Sequence, residues 1–558
     1  MKNIDHYSYH NTNEMVERAN MTGKKWSKGS RIFLSIALMI LICSIDLRIC
    51  VKKIRDTLPY PRHMDESFIT QRALSILKTN DWNPHEFNYS SFPVYLTTGA
   101  LSLGYLRYAG KGELRGIDKI QSVTYPYYDP PEILLPARVL FALFMVVAFM
   151  AMGLAAWRLF MVPELIFAVP CVASLSQILL YHGWRYVNVD TLATAMAALT
   201  LMVVAFHGGS PSFWLTAILP GILCGLTAAG KYTYVGILFP AILAIWLFGK
   251  RWRFYRTLVL VLASVGAFIC VVPYSLLDIN AFVEELGKLA ASYARGRVGR
   301  IYEPGWDHAR QYILFALKDI GPYSLFLAIL GMVYGFLKNW RGALIMGLFP
   351  LLLVALLSAT PTFYERNAMF SYLYYGLLVA VGLFAAGQFI FRVTGKIARI
   401  GSRNILRTGI AVAAVCLLAW SILPLGRQRT MFAVSPDTRN QAVEWIRQNV
   451  PKGAAILMPP ELCFYVKPLA GEYQMLVHDY ASFRPETFTK EAARLGAAYA
   501  MMPVWTSPDN KTKASADMKN KLREGISPLI EYRGNPIGGN ATYPVFWGDP
   551  AFMIGKLN

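Results

Sequence analysis

The stretch His63-Met64-Asp65-Glu66-Ser67-Phe68 places two adjacent carboxylates shortly after the first long apolar run of the chain. It opens an amphipathic helix, Asp65 to Thr79, with Phe68, Ile69, Ala73, Ile76 and Leu77 at helical spacing on one face. Two readings of Asp65 compete. A carboxylate at a helix start satisfies orphan N–H groups as an N-cap. A carboxylate aimed at a reacting hydroxyl or amine is a general base. The surroundings of this stretch decide between them.

The chain has 558 residues, 55% of them hydrophobic and 16% charged, with a mean hydropathy of +0.37. A soluble domain of this length carries more charge. The apolar residues come in repeated runs of roughly 17–22, long enough to cross a bilayer as helices. The pattern is that of a polytopic α-helical membrane protein. The formal net charge of +21 does not point to nucleic acid. Many basic residues lie in short loops between apolar runs, where they set topology, and no nucleic-acid motif is present. The seven cysteines include no CxxC pair and form neither a disulfide framework nor a zinc site.

Residues 1–30 are polar, without an apolar period, and read as a cytoplasmic tail. Lys24, Lys25, Lys28 and Arg31 precede the first span, about Ile32 to Ile49. No small-residue cleavage site follows, so this run is read as a span and not as a signal peptide. A long outer loop covers 50–133. Within it Phe92–Tyr108 is apolar and aromatic, and Pro93 and Arg107 suit a helix lying in the interface. Further spans are expected at 134–157, 161–181, 188–206, 213–230, 232–249, 257–277, 320–337, 342–358, 369–391 and 408–424, about eleven in all with the first. A second outer loop covers 278–312. The basic segments 250–256, 338–341 and 392–407 fall on one side, taken as cytoplasmic. Asp65, the 182–190 loop, Lys231 and the 359–368 loop fall on the other. The membrane part is thus 31–424, and 425–558 is a polar, extracytoplasmic α/β domain, with a helix at Thr438–Asn449, a strand at Ala454–Met458 and a helix–strand step over Thr487–Met502.

Polar groups scattered along the sequence therefore meet at one membrane face. Asp65 and Glu66 are acidic. Arg185 and Asp190 flank a short loop, Lys231 sits where two spans meet, and Arg366 starts a span. Charges at span ends can simply snorkel to the headgroups. Asp190, costly to bury alone, should instead face a wet cavity or a cation, and Arg185 five residues away should have a specific partner or a phosphate. A carboxylate with several cations suits transfer from a lipid phosphate. The carboxylate takes the acceptor's proton, and the cations stabilise charge on the departing phosphate. No Walker or GxGxxG motif and no DxD pair is present.

Met64-Asp65-Glu66, then Asn83-Pro84 with Phe87-Asn88-Tyr89-Ser90-Ser91-Phe92-Pro93-Val94-Tyr95-Leu96, resembles the first outer loop of GT-C glycosyltransferases. The likeness is to the protein O-mannosyltransferase-like branch, which includes lipid A aminoarabinose transferases. Leu135-Pro136-Ala137-Arg138-Val139-Leu140, Arg185 to Asp190, Gly225 to Thr233, Glu365-Arg366-Asn367 and Asp437-Thr438-Arg439 are similar to further family segments. Tyr89-Ser90-Ser91-Phe92 stands where members often have Tyr-Pro-Ser-Leu, and residues 293–300 lack the histidine of a Gly-His-x-Gly pattern. The resemblance implies a GT-C fold and inverting transfer from a polyprenyl-phosphate sugar, at the outer face of a bacterial inner or plasma membrane, to a lipid, glycan or protein acceptor. It implies Asp65 as general base, with Glu66 and Asp190 supporting the acceptor or a cation. Arg185, Lys231 and Arg366 would hold the lipid phosphate. A divalent cation stays open, and no other cofactor is implied. The rival readings are a transporter or flippase for lipid-linked sugars, which predicts inverted repeats not seen here, and a non-catalytic binder of the same lipids.

Overall fold

Backbone inside hydrocarbon must satisfy its own N–H and C=O groups, so long apolar runs fold as helices. The computed structural model describes residues 27–122, 128–249, 251–296, 300–397, 437–463, 466–484, 486–503, 521–532 and 552–557. Its main helices are α1 (Lys28–Asp56), α2 (Met64–Thr79), α3 (Ser91–Gly110), α4 (Leu135–Phe160), α5 (Leu165–Ala173), α6 (Val189–His207), α7 (Leu219–Gly230), α8 (Leu238–Phe248), α9 (Arg253–Val271), α10 (Ile279–Arg295), α11 (Trp306–Ile320), α12 (Ser324–Leu357), α13 (Met369–Ile397) and α14 (Thr438–Asn449).

Among the described residues six helices are long and apolar enough to cross a membrane: α1, α4 with the turn before it, α6, α9, α12, and α13 with the turn before it. The other expected runs differ locally or lie outside the described residues. The run 161–181 breaks into the nine residues of α5, which contain Pro170, and a π turn at Leu179–Gly183. The runs 213–230 and 232–249 form two shorter apolar helices, Trp214–Gly230 and Tyr232–Phe248. The spans expected at 320–337 and 342–358 join as α12, broken at Asn339 (φ −157°, ψ 84°). The span expected at 408–424 and most of the tail 1–30 lie outside the described residues.

The 50–133 segment is largely helical. Its α2 starts one residue before the predicted helix and buries Ile69, Ala73, Leu74 and Ile76. Phe68, expected on that face, is 42% exposed and stacks on Tyr89 at the rim. The Phe92–Tyr108 run forms α3, which packs on α2 and α4 and is not among the six long apolar helices. Two two-residue strands, β1 (Gln121–Ser122) and β2 (Tyr128–Asp129), pair antiparallel in the same segment. Strand β3 (Arg300–Ile301) pairs antiparallel with β4 (Thr362–Phe363) and ties the 278–312 loop to the 359–368 loop.

The C-terminal part holds a five-stranded sheet of β5 (Ala455–Met458), β6 (Gln474–Val477), β7 (Tyr499–Pro503), β8 (Ile526–Tyr532) and β9 (Phe552–Leu557), in the order β6-β5-β7-β9-β8. β5 runs parallel to β6 and β7, and β9 runs antiparallel to β7 and β8. Side chains alternate across the sheet. Ile456 and Met458 meet Ala442, Val443 and Ile446 of α14. Leu457 meets Phe488 and Ala492 on the other face.

Candidate active site

Local backbone choices aim the first acidic pair. His63 is the N-cap of α2, and its Nδ1 accepts the Asp65 N–H at 3.1 Å. The capping role open to Asp65 is therefore filled by its neighbour, and the Asp65 carboxylate is free to point elsewhere. It lies 2.9 Å (Oδ2) from Nη2 of Arg366, 3.4 Å (Oδ1) from Nδ1 of His63, and accepts a hydrogen bond from the Tyr89 hydroxyl. Nη1 of the same guanidinium also faces the His63 ring, at Nε2. The His63 ring stacks on Tyr186 with centroids 5.1 Å apart and planes 9° from parallel. Arg366 belongs to the 3-10 turn Glu365–Ala368 before α13, and its guanidinium lies over the Tyr364 ring.

The second acidic site is built where α6 meets α7. Asn188 caps α6 by accepting the Asp190 N–H at 3.0 Å, which fixes Asp190 in the first turn. Gly230 ends α7 so close to α6 that a Cβ there would lie 3.0 Å from the Ala193 backbone. That approach brings the next residue, Lys231, onto Oδ1 of Asp190. Lys231 Nζ also donates to Oδ1 of Asn367 at 2.9 Å. The other Asp190 oxygen is buried without a hydrogen-bond partner among the described residues, and Arg366 Nε stands 3.9 Å from it. Asp65, Arg366, Asp190 and Lys231, from four distant segments, thus alternate in charge along one partly buried row.

Electrostatics set the protonation of this row. Burial alone would raise the Asp65 carboxyl, but Arg366, with the Tyr89 hydroxyl donating, outweighs it and holds it well below the usual carboxylate range. Burial, and then Arg366, pushes His63 below its ordinary value and keeps it neutral. Burial and the Asp65 charge push the Tyr89 hydroxyl up, so it stays a donor.

Two expected site residues are placed differently. Glu66, expected to support the acceptor or a cation, is fully buried and turned away from the row. Its oxygens take Arg138 Nε at 2.8 Å and Nη2 at 2.9 Å, and it also accepts the N–H groups of Arg62 at 2.8 Å and Val187 at 3.1 Å. An ion pair with this many bonds is held in one geometry. Arg185, expected beside Asp190 on a lipid phosphate, is buried with its guanidinium 5.5 Å from the centre of the Tyr181 ring, and Asp190 pairs with Lys231 instead.

Sequence reading assigned no role to His63, Arg138, Asn367 or the pair His182–Glu365 (Nε2 to Oε1, 3.7 Å). Arg138 carried a partial signal, since an arginine in the first turn of an apolar span either reaches the headgroups or has a buried partner. Among the described residues no group of three or more His, Cys, Asp or Glu side chains could hold a metal ion.

No protein-family model and no curated protein sequence matches the chain. Solved structures do. ArnT from Cupriavidus metallidurans bound to undecaprenyl phosphate matches at 14% identity over 94% of this chain and 97% of that one, with a TM-score of 0.43. The Archaeoglobus fulgidus oligosaccharyltransferase tethered to an acceptor peptide matches at 12% identity over 90% and 73%, with a TM-score of 0.45. The arabinofuranosyltransferase AftD from Mycobacteria matches at 14% identity over 93% of this chain and 41% of that one, with a TM-score of 0.38. Their TM-scores stay below 0.5, and neither substrate nor residue roles pass from them to this chain.

Proposed function

We propose that the protein is an inverting glycosyltransferase that moves a sugar from a polyprenyl-phosphate donor to a cell-envelope acceptor at the outer face of a bacterial inner or plasma membrane. The observation that carries this reading is the row Asp65–Arg366–Asp190–Lys231, in which a buried carboxylate stands beside two cations. The acceptor hydroxyl or amine gives its proton to Asp65 and attacks the anomeric carbon. The bond from that carbon to the phosphate oxygen breaks, and the phosphate leaves with the electron pair. Arg366 and Lys231 stabilise its added charge, and Asp190 holds the two cations in place. Glu66 and Arg138 position α2 and take no part in bond making. The N-terminus is cytoplasmic and the C-terminal part extracytoplasmic in this reading, as the basic loops favour.

The test is transfer in reconstituted membranes. Purified protein receives labelled polyprenyl-phosphate sugars and a cell-envelope extract, and lipid-phosphate release is followed for the wild type and Asp65→Asn. Release by the wild type that is lost in a folded Asp65→Asn protein supports the transferase. Sugar lipid crossing the bilayer with no release supports a flippase, and binding with neither supports a non-catalytic binder.

A further inference from the structure

The reading above leaves the C-terminal part without a task, and one cluster of buried charge outside the row bears on it. Residues 57–62 link α1 to the acidic helix α2 and are held from two sides. From the membrane part, Arg138 donates to Thr57 Oγ1 at 2.9 Å and to the Tyr60 carbonyl at 2.6 Å, while its Nε and Nη2 grip Glu66. From the C-terminal part, Asn440 Nδ2 donates to the carbonyls of Asp56 (2.7 Å) and Leu58 (3.1 Å). Arg439 donates to the Pro61 carbonyl at 3.4 Å and lies over the Tyr60 ring, 4.5 Å from its centre. Asp437 accepts from Arg439 Nη2 at 2.8 Å and from Arg62 Nη1 at 3.2 Å. The backbone N–H of that same Arg62 donates to Glu66.

Arg62, Asp437 and Arg439 are all at most 1% exposed. Charges taken out of water tolerate one well-paired geometry and resist others. A bilayer-spanning scaffold could hold the turn with Arg138 alone. Here the first described residues of the C-terminal part, Asp437, Arg439 and Asn440, reach into it as well. The turn ends at His63, whose ring and N-cap geometry aim Asp65 at Arg366.

We infer that the C-terminal part is a positioning element of the site, acting from Asp437 and Arg439 through the 57–62 turn on His63 and Asp65. The inference rests on the reading of Asp65 as the general base only in its kinetic consequence. Its structural content, that the docked C-terminal part holds the turn, stands apart from any activity.

The experiment uses the full-length protein in detergent. Asp437→Asn keeps an N-cap for α14, since asparagine caps well, and removes the charge facing Arg62 and Arg439. Asn440→Ala is the milder second variant, and Arg447→Ala breaks a surface pair with Glu472 in the same C-terminal part. Amide hydrogen exchange is followed for residues 56–66 and, separately, for β5. Asp437→Asn and Asn440→Ala should lose protection at Leu58, Tyr60 and Arg62 while β5 keeps its own, and Arg447→Ala should match the wild type. In the transfer assay Asp437→Asn should lower the saturated rate about 100-fold, the loss expected for a reacting group misplaced by about 1 Å, with donor KM unchanged. Unchanged protection of 56–66 in both variants overturns the inference. So does loosening that extends to β5, or an equal effect of Arg447→Ala. If the wild type releases no lipid phosphate the transferase reading fails, and the exchange result still decides the positioning role.

Discussion

Arg366 holds Asp65 by a direct ion pair, Nη2 to Oδ2 at 2.9 Å, across 300 residues of sequence. The pair has a chemical cost. A carboxylate held this firmly in its ionised form is a weak base, and base catalysis is most effective when the pKa lies near the working pH. A lipid phosphate that takes over the guanidinium would free the carboxylate just when an acceptor proton must be removed. Donor binding before acceptor binding follows from this geometry. In initial-rate kinetics the released polyprenyl phosphate should inhibit competitively against the donor and not against the acceptor. Competition with the acceptor would sink the ordered scheme.

Asp65→Asn separates the base from the scaffold. The amide is nearly isosteric, and its carbonyl oxygen still accepts from Tyr89 and Arg366, so the fold is expected to survive. Transfer should fall about 100-fold or more, the usual worth of a positioned base. The measurement is the initial rate of lipid-phosphate release from protein that elutes as the wild type does. An undiminished rate would move the base to Asp190, whose second oxygen has no hydrogen-bond partner among the described residues.

The pH dependence of stability has a definite sign. The groups facing His63 are Arg366, Asp65, His182 and Tyr186. Burial and then Arg366 lower its pKa from the ordinary 6.5. On unfolding the imidazole takes up a proton below about pH 6.5 that the folded protein resists, so stability falls as pH drops through that value and keeps falling until the folded group titrates. Asp65 acts in the same direction at lower pH. Its contribution is intact above the ordinary 3.8 and is lost as pH falls through its depressed folded value. Thermal unfolding in detergent should therefore give a lower midpoint at about pH 5.5 than at about pH 7.5. His63→Asn, which keeps an N-cap, should narrow the gap. An equal gap in both proteins would remove His63 from the account.

Glu66 tells how far a motif can be read without coordinates. Asp65 and Glu66 are adjacent, and nothing in their order says that a helix beginning at Met64 sends one to Arg366 and the other to Arg138. Successive helical residues point about 100° apart, so an adjacent pair on a helix divides between two partners. Hydropathy marked α1, α4, α6, α9 and α13, because each is a long run with few charges. It does not register the break at Pro170 and the turn after it, where the apolar run 161–181 holds a nine-residue helix. Lys231 was legible as a cation at a helix junction, and its partner was visible only once Gly230 brought α7 onto α6. Arg185 and Asp190 are near in sequence, and that Arg185 lies over Tyr181 while Asp190 pairs with Lys231 is visible only in the fold.

The buried Glu66–Arg138 pair gives its own test. Glu66→Gln leaves Arg138 buried with its counter-charge gone, and loss of one partner of a buried pair costs about 3–5 kcal/mol. The double variant Glu66→Leu with Arg138→Met replaces both charges by apolar groups and should recover much of that loss. Folded yield and melting temperature check both. A catalytic Glu66 would behave otherwise, with Glu66→Gln melting as the wild type does while transfer is lost.

Lys231 and Asp190 offer the opposite combination, a pair in which both binding and folding are at stake. Asp190 is fully buried, and Lys231 takes one of its oxygens while also donating to Asn367. Among the described residues Lys231→Ala leaves the carboxylate with only the distant Arg366 Nε, so the variant should lose about 3 kcal/mol of stability, the low end for a broken buried pair because Lys231 is partly exposed. Asp190→Asn with Lys231→Met removes both charges and should melt closer to the wild type. If Lys231 also holds the phosphate, stability and affinity part company in the double variant. Both should bind polyprenyl phosphate about tenfold more weakly or worse, one lost charge-assisted hydrogen bond in a dry site being worth about 1.5–3 kcal/mol. Recovery of the melting temperature without recovery of affinity identifies Lys231 as a phosphate ligand. Recovery of both would confine it to holding α7 against α6.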